Sequence, residues 1–188
     1  MRFVRGLSLL LPLSMLTGCA RVVVTQDSGG NTTDIKIEPA FTKPKGRAPN
    51  IAAQTASIAQ MEVAVHQRIN QQRQKNGLPP LKSDATLSKV ARDYSRRMSR
   101  EKFFSHFDSQ GKSAADRVRA AGKSYRAVGE NLFTSTNAPN PVDASVEGWM
   151  KSKGHRENIL NKTFTHTGIG IWKNGNTYHF TQLFFLPM

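Results

Sequence analysis

The stretch TGIGIWKNGNTYHFTQLFF, residues 167–185, decides the class of fold expected for this 188-residue chain. Residues 167–172 and 177–185 are rich in β-branched and aromatic side chains, which favour strands. Between them lies Asn174-Gly175, and Asn-Gly between two apolar runs is a strong short-range signal for a β-hairpin. We therefore predict that the chain ends in two antiparallel strands.

The residues before this hairpin predict mostly helices. Apolar residues recur at helical spacing along residues 58–69, and Gly77 and Pro79 end the run. A second helix begins after Ser83 or Asp84, either of which can cap it. The remaining segments are a loop at 103–108, a short helix at 113–121, a strand at 128–135, a helix at 142–151 and further helical turns at 155–160. Helices first and strands later, without strict alternation, predict an α+β fold with a largely antiparallel sheet.

The N-terminus has the pattern of an export signal. Arg2 and Arg5 precede an apolar run at residues 7–17, which is too short to span a bilayer and is typical of a secretory signal. Residues 16–19, Leu-Thr-Gly-Cys, resemble the lipobox of bacterial lipoproteins, in which the cysteine becomes the acylated N-terminus. The alternative is an ordinary secretory signal with an incidental cysteine. An acylated (for example palmitoylated) Cys19 would hold the protein on a membrane.

These features divide the chain into three predicted segments. They are a lipoprotein signal peptide at 1–18, a lipidated N-terminus with a flexible tether at 19–52, and one folded domain at 53–188. The tether is polar and interrupted by Gly and Pro, with room for a short strand at residues 22–24. The residue after the cysteine is Ala20 and not an Asp. By resemblance to Gram-negative lipoproteins, this favours the outer membrane of a bacterial envelope.

Composition limits the partners. The formal net charge of +14 falls to +12 when Arg2 and Arg5 leave with the signal, which suggests an anionic envelope lipid or wall polymer. Nucleic acid fits the charge but not the compartment. The alternative is a well-solvated basic surface without a partner. Cys19 is the one cysteine, so no intramolecular disulfide forms and no thiol remains after acylation.

Three residues able to bind metals or exchange protons stand in short polar segments: His106, Glu130 and His155. His106 follows two phenylalanines in a loop, where a lone histidine is usually structural. Glu130 lies between Gly129 and Asn131 in a strand-like stretch, and burying a carboxylate without a partner is costly. We therefore expect a partner for Glu130, either a histidine, an amide or a metal, with bonds to nearby backbone amides as the alternative.

If the two imidazoles converge, they suit Zn²⁺ or another divalent cation. Two protein ligands and water leave open coordination positions. Glu130 then either orients a histidine or acts as a base on the bound water, and the pattern does not choose between these roles. The chain has no Gly-x-Ser-x-Gly elbow and no His-Glu-x-x-His run.

Taken together, these motifs resemble the bacterial branch of the CAP superfamily (cysteine-rich secretory protein, antigen 5 and pathogenesis-related 1), also called SCP-like domains. The resemblance covers residues 60–187, nearly the whole domain. The residues that carry it, in order, are Arg68-x-x-x-Gln72, Gly77-Leu78-Pro79-Pro80-Leu81, Ser105-His106, Gly129-Glu130-Asn131, Trp149, Ser152-x-Gly154-His155-Arg156-x-Asn158-Ile159-Leu160 and the strand at 178–185.

The resemblance implies an α-β-α sandwich whose central cleft is lined by two histidines and two acidic residues. Three of these positions match the candidates already singled out. The fourth falls three residues after Trp149, at Ser152, and Glu147 lies on a different face of the predicted helix. The cleft lining expected from the resemblance is therefore His106, Glu130, Asn131, Ser152 and His155, with His106 and His155 as metal ligands.

Family membership does not fix a reaction, because sterol and lipid binding, divalent-metal binding and proteolysis are all ascribed to CAP proteins. Because only one of the two acidic residues of the family cleft is matched, at Glu130, we rank three hypotheses as follows. First is an envelope-anchored binding module whose cleft holds a divalent metal, a lipid or a wall fragment. Second is a structural or adhesive envelope protein. Third is a metal-dependent hydrolase with Glu130, His106 and His155 as catalytic candidates.

Overall fold

The protein is described by a computed structural model that covers residues 20–26, 32–39 and 53–188. Backbone contacts divide the chain into two units, residues 1–45 and 46–188, and each is described by itself. The predicted signal peptide and Cys19 lie outside the described residues. No helix in the described ranges is both long and apolar enough to cross a bilayer.

In the first unit, β1 (Ala20–Gln26) pairs with β2 (Thr32–Pro39) as an antiparallel ribbon. The sequence predicts only a short strand at residues 22–24 within a flexible tether, so the extent of strand is larger than expected. Thr, Val and Ile are frequent in both segments, and such β-branched residues favour extended, paired backbone.

In the second unit, the described residues 53–188 form one four-stranded sheet and five helices. Its elements are α1 (Ala56–Lys75), β3 (Lys82–Ser83), α2 (Ala85–Glu101), α3 (Ala114–Ala120), β4 (Tyr125–Thr136), α4 (Pro141–Lys151), α5 (Lys153–Leu160), β5 (His166–Asn174) and β6 (Thr177–Pro187). The strand order is β3-β5-β6-β4, and only the short β3–β5 pair is parallel. This arrangement confirms the predicted α+β class and the largely antiparallel sheet.

Local sequence accounts for where the helices begin. Thr55 caps α1, and of the two residues considered for α2 it is Asp84 whose carboxylate accepts the bond from the Leu87 amide. Ser113 begins α3 with a full capping box. Each cap satisfies backbone donors that have no partner inside the helix.

The C-terminal hairpin forms as the sequence predicts. Asn174 pairs with Thr177, which leaves Gly175 and Asn176 as the two-residue turn. Gly175 adopts a φ of +57°, a conformation that a side chain disfavours and that tight hairpin turns require.

Helices cover the sheet on both faces. Alternation along β6 sends Leu183 and Phe185 toward a cluster with Leu87 of α2, while Phe180 and Phe184 join the cluster formed with α1, α4 and α5. The fold is therefore the α-β-α sandwich that the resemblance implies. The edge strand β4, at the end of this four-stranded sheet, contacts α3, α4 and α5.

Candidate functional site

The candidate site straddles the edge strand β4. Side chains along a strand alternate between the two faces of a sheet. Glu130 lies on the α2–α3 face, where it contacts His106 and Arg117. The next residue, Asn131, lies on the opposite face and binds the backbone of α5 at His155. One dipeptide thus fastens to the sheet both segments that carry the histidines.

Glu130 is the centre of the first half of the site. Its side chain is only 4% exposed. One carboxylate oxygen, Oε1, lies 2.9 Å from His106 Nδ1, and Oε2 accepts from Arg117 Nη2 at 2.5 Å. The prediction that the buried carboxylate has a partner is confirmed, and a histidine is one of its two partners.

Arg117 is the functional residue that sequence reasoning missed. In sequence it belongs to a basic stretch on a short helix, which is typical of a solvated surface. In the fold its guanidinium is buried, with Cζ 3.3 Å from the ring centroid of Tyr94 and Nη1 donating to the Lys112 carbonyl at 2.9 Å. The ion pair between Arg117 of α3 and Glu130 of β4 is a tertiary contact, so the spacing of residues in the sequence does not predict it.

Tyr94 fixes the loop that carries His106. Its hydroxyl donates to the carbonyl of Ser105 at 2.5 Å, and Arg117 Nη1 donates to the His106 carbonyl at 3.3 Å. Burial raises the pKa of Tyr94 to about 12, so this hydroxyl keeps its proton and remains a donor at any physiological pH. The loop is held at two consecutive carbonyls.

His106 is oriented with one nitrogen inward. An ionised carboxylate only accepts hydrogen bonds, so the neutral ring must carry its proton on Nδ1, which leaves the lone pair on Nε2. The hydrogen bond to Glu130 raises the pKa of His106, against the opposing effects of burial and of Arg117. The side chain is half-exposed, so the ring is accessible to a ligand.

His155 completes the pair of imidazoles from α5. Burial lowers the pKa of His155, and the charge of His106 lowers it further. Asn158 Nδ2 donates to Asn131 Oδ1 at 2.9 Å, and Asn131 donates to the His155 carbonyl at 3.0 Å. Asn131 is fully buried, so it supports His155 from behind.

The position of the fourth cleft residue belongs to Ser152, which ends α4 and begins α5 without a side-chain capping bond. Glu147 does not replace it. The Glu147 side chain is 67% exposed and pairs with Lys151 one turn later on the helix surface. Ser152 therefore supplies no acidic group, and the carboxylate of Glu147 is directed to solvent.

A change at Glu130 is expected to lower the pKa of His106. Glu130→Gln removes the charge that raises this pKa, while burial and Arg117, which both lower it, remain. Arg117→Gln is the matched control with opposite sign, since it removes a cation that lowers the pKa of the same ring. Titration of the imidazole C–H resonances by NMR measures both. A shift in the same direction for the two variants would contradict this electrostatic description.

The same interaction makes stability depend on pH. His106 binds its proton more tightly in the folded state, so its contribution is fully present below the ordinary pKa of 6.5 and is lost as pH rises through the raised folded value. His155 acts oppositely, because its lowered pKa favours the folded state above the ordinary value and opposes it in acid. In Glu130→Gln, the free energy of unfolding measured by urea titration is expected to lose the stabilisation that protonated His106 provides at acidic pH.

A known protein family matches most of the second unit. Residues 66–184, more than half of the chain, match the profile of the CAP family, described as the cysteine-rich secretory protein family. The chain therefore belongs to the CAP family, as its motifs and its sandwich fold indicate.

Two curated relatives are from Bacillus subtilis (strain 168). The uncharacterized protein YkwD is 40% identical over 129 residues, which cover 69% of this chain and 48% of YkwD. The uncharacterized membrane protein YlbC is 36% identical over 112 residues, which cover 58% of this chain and 31% of YlbC. The chain thus spans half or less of the length of these relatives.

Two solved structures share the fold. An outer surface protein from Borrelia burgdorferi has a TM-score of 0.63 at 23% identity, covering 69% of this chain and 94% of that one. An extracellular protein with an SCP domain from Bacillus anthracis has a TM-score of 0.62 at 26% identity, covering 72% of this chain and 45% of that one. Both similarities agree with the CAP sandwich inferred from the resemblance.

Proposed function

We propose that this protein is an envelope-anchored binding module whose cleft holds a divalent cation, Zn²⁺ or a similar ion, through His106 and His155. The observation that carries the proposal is the 2.9 Å contact between Glu130 Oε1 and His106 Nδ1, with Arg117 holding the other oxygen. A carboxylate behind one ring nitrogen fixes the tautomer and makes the other nitrogen a better ligand.

The donor set fits a weakly held, open site. Neutral imidazole nitrogen is a preferred ligand of Zn²⁺, and His155 resists protonation because burial lowers its pKa. Glu130 is occupied by His106 and Arg117, and no group of three or more His, Cys, Asp or Glu within the described ranges is placed to hold a metal. A divalent cation held by His106 and His155 would supply Lewis acidity, which would favour binding of an oxygen-bearing ligand such as a lipid headgroup or wall fragment.

Two other functions rank lower. A purely structural role is supported by the same network, because Glu130, Arg117, Asn131 and Asn158 tie a loop and a helix to the sheet. A metal-dependent hydrolase needs a base with a lone pair directed at water. Both Glu130 oxygens are engaged by cationic or N–H donors, which disfavours that role.

The place of action is part of the proposal. The signal-like N-terminus and Cys19 support export and lipid anchoring, and Ala20 after the cysteine supports the outer membrane by resemblance to Gram-negative lipoproteins. The similar Borrelia burgdorferi protein is an outer surface protein and the similar Bacillus anthracis protein is extracellular, which is consistent with export.

Replacing both His106 and His155 with alanine is expected to abolish Zn²⁺ binding at little cost in stability. Native mass spectrometry and Zn²⁺ titration of the full chain measure the first effect, and urea unfolding without metal measures the second. His66→Ala is the matched control, because His66 lies on α1 and bonds to the Leu81 carbonyl, not to the site. Its affinity for Zn²⁺ should equal that of the unmodified chain.

Other outcomes point to the alternatives. Marked destabilisation of the metal-free double variant, with no metal bound by the unmodified chain, would support the structural role. Turnover of an envelope polymer that is lost in Glu130→Gln while the metal stays bound would support the hydrolase.

A further inference from the structure

Two exposed aromatic rings flank the histidine of the cleft. Phe104 is 53% exposed and Phe107 is 59% exposed, and both lie in the loop after α2 that carries His106. Among the described residues, the other large apolar side chains with comparable exposure are Val63 and Met188. Neighbouring apolar groups left in water on a folded domain mark a surface that contacts a partner or a membrane.

The loop is built to hold these rings outward. Asp108, whose side chain is fully buried, accepts the backbone amides of Gln110 at 2.9 Å and Lys112 at 2.8 Å. It also pairs with Arg97 Nη1 at 2.8 Å. With Tyr94 holding the Ser105 carbonyl, the segment has tertiary bonds on both sides of Phe107. The exposure of Phe107 therefore belongs to an ordered loop.

A basic cavity adjoins the same loop. Its volume is about 360 Å³, and it is lined by Arg96, Arg97, Arg100 and Glu101 at the end of α2. Arg97 contacts Asp108, and Glu101 Oε2 accepts from the Ser109 hydroxyl at 3.3 Å, so the cavity and the loop share a wall. The charged groups that line the cavity are therefore three guanidinium groups and one carboxylate.

One of these cations is available to a partner. Arg96 pairs with Asp93, and Arg97 pairs with Glu101 and Asp108. Arg100 is exposed, and its guanidinium has neither a hydrogen bond nor an ion pair to any residue that the structure describes. A guanidinium presents N–H donors in a fork that matches phosphate oxygens, which suits a phosphodiester headgroup.

We propose that Phe104, Phe107 and Arg100, together with the basic cavity, form a docking face for an anionic phospholipid surface. The rings enter the interface while Arg100 binds headgroup phosphate, which is the combination of apolar and basic residues that holds proteins on anionic bilayers. The net charge of +12, which remains when Arg2 and Arg5 of the predicted signal are subtracted from +14, favours the same partner. This goes beyond the proposed function, since it needs no metal, and it turns the mouth of the cleft toward the membrane.

Quenching by brominated acyl chains tests the proposal. The full chain carrying Phe107→Trp is reconstituted in vesicles of phosphatidylglycerol and phosphatidylcholine, or of phosphatidylcholine alone, with bromine on the acyl chains. Val63→Trp is the control matched for exposure, because Val63 is 56% exposed but lies on α1. We expect loss of most of the added indole emission for Phe107→Trp in the anionic vesicles only, and no loss for Val63→Trp.

Charge reversal completes the test. Adding Arg100→Glu to Phe107→Trp should restore the emission in anionic vesicles, and a thermal unfolding curve like that of the parent shows that the variant is folded. Equal quenching at both reporter positions, quenching independent of anionic lipid, or quenching that survives Arg100→Glu would each overturn the proposal. One further result would overturn the proposal: the Phe107→Trp indole is not quenched in anionic vesicles, but its emission shifts when a soluble anionic wall polymer is added. The partner would then be the polymer and not a lipid surface.

Discussion

Gly170→Ala is expected to lower the free energy of unfolding by about 3 kcal/mol or more, and to abolish folding if the domain has little stability to spare. A methyl group on Gly170 would lie 2.0 Å from the backbone nitrogen of Arg92 and 2.2 Å from the carbonyl carbon of Ala91. Both atoms belong to the backbone of α2, so no side-chain rotation relieves the overlap. Helix α2 would have to move away from β5.

The cost is high because α2 lies directly against the strand. Ser95 Oγ donates to the Gly170 carbonyl at 2.9 Å, a bond that requires this close approach. Gly168, two residues earlier on β5, also lies directly against α2: a methyl group added there would be 2.4 Å from the backbone of Leu87. The two glycines of TGIGIW therefore form a flat surface on which the helix rests.

Gly154→Ala is the matched control. Gly154 lies in the first turn of α5, and a methyl group there meets nothing within 4 Å. Alanine is the better helix former by about 1 kcal/mol, so this variant should be neutral or slightly more stable. Urea unfolding followed by circular dichroism measures both, and equal stability of the two variants would contradict the packing described for α2 and β5.

Arg73→Met is expected to cost about 4 kcal/mol, because it leaves several buried carbonyl oxygens without donors. The Arg73 side chain is fully buried near the end of α1, and burial lowers its pKa. Its N–H groups reach four backbone carbonyls, at distances from 2.7 to 3.4 Å: those of Pro79, Ile159, Asn161 and Phe164. Methionine fills most of the volume but donates to none of them.

These contacts explain how the segment around His155 is held at its far end. Ile159 and Asn161 lie at the C-terminal end of α5, where helix carbonyls lack partners and a cation is favourable. Arg73→Lys should recover part of the loss, since an ammonium group keeps the charge but cannot span four carbonyls in a fixed plane. Lys75→Met, exposed in the same turn of α1, is the control and should change stability by less than about 0.5 kcal/mol.

Denaturant titrations of the three variants provide the measurement. A Zn²⁺ titration of Arg73→Lys would also show whether loosening the end of α5 weakens the site. Arg73→Met unfolding at the same urea concentration as Lys75→Met would refute the role assigned to the guanidinium.

Much of the fold follows from local sequence. The apolar spacing of α1, the Asp84 cap of α2 and the Asn174-Gly175 turn each specify their own segment through interactions within a few residues. The order of helices and strands then restricts the architecture, and the CAP motifs complete it. The pairing of residues 20–26 with residues 32–39 exceeds the prediction, because β-branched residues favour extended backbone in each segment but do not show that the two segments pair.

The candidate site was only partly predictable. His106, Glu130 and His155 stand out because polar or charged residues interrupt apolar segments, and the need of a buried carboxylate for a partner follows from its desolvation cost. Arg117 does not stand out, since a cation on a short helix looks like any solvated residue until α3 folds over β4. Strand alternation predicts that Glu130 and Asn131 lie on opposite faces of the sheet. It does not predict which segments of the chain pack against each face.

The sequence by itself determined the main helices and strands of residues 53–188, the α+β class and the family, and it singled out His106, Glu130 and His155. Each of these depends on spacing or on the chemistry of single residues. Tertiary structure alone decided that Arg117 engages Glu130, that Glu147 faces solvent, and that Arg73 joins α1 to the end of α5. Those contacts join residues 13 to 91 positions apart or depend on which face of a helix is covered. Their energies come from burial, which exists only after the layers of the sandwich have packed.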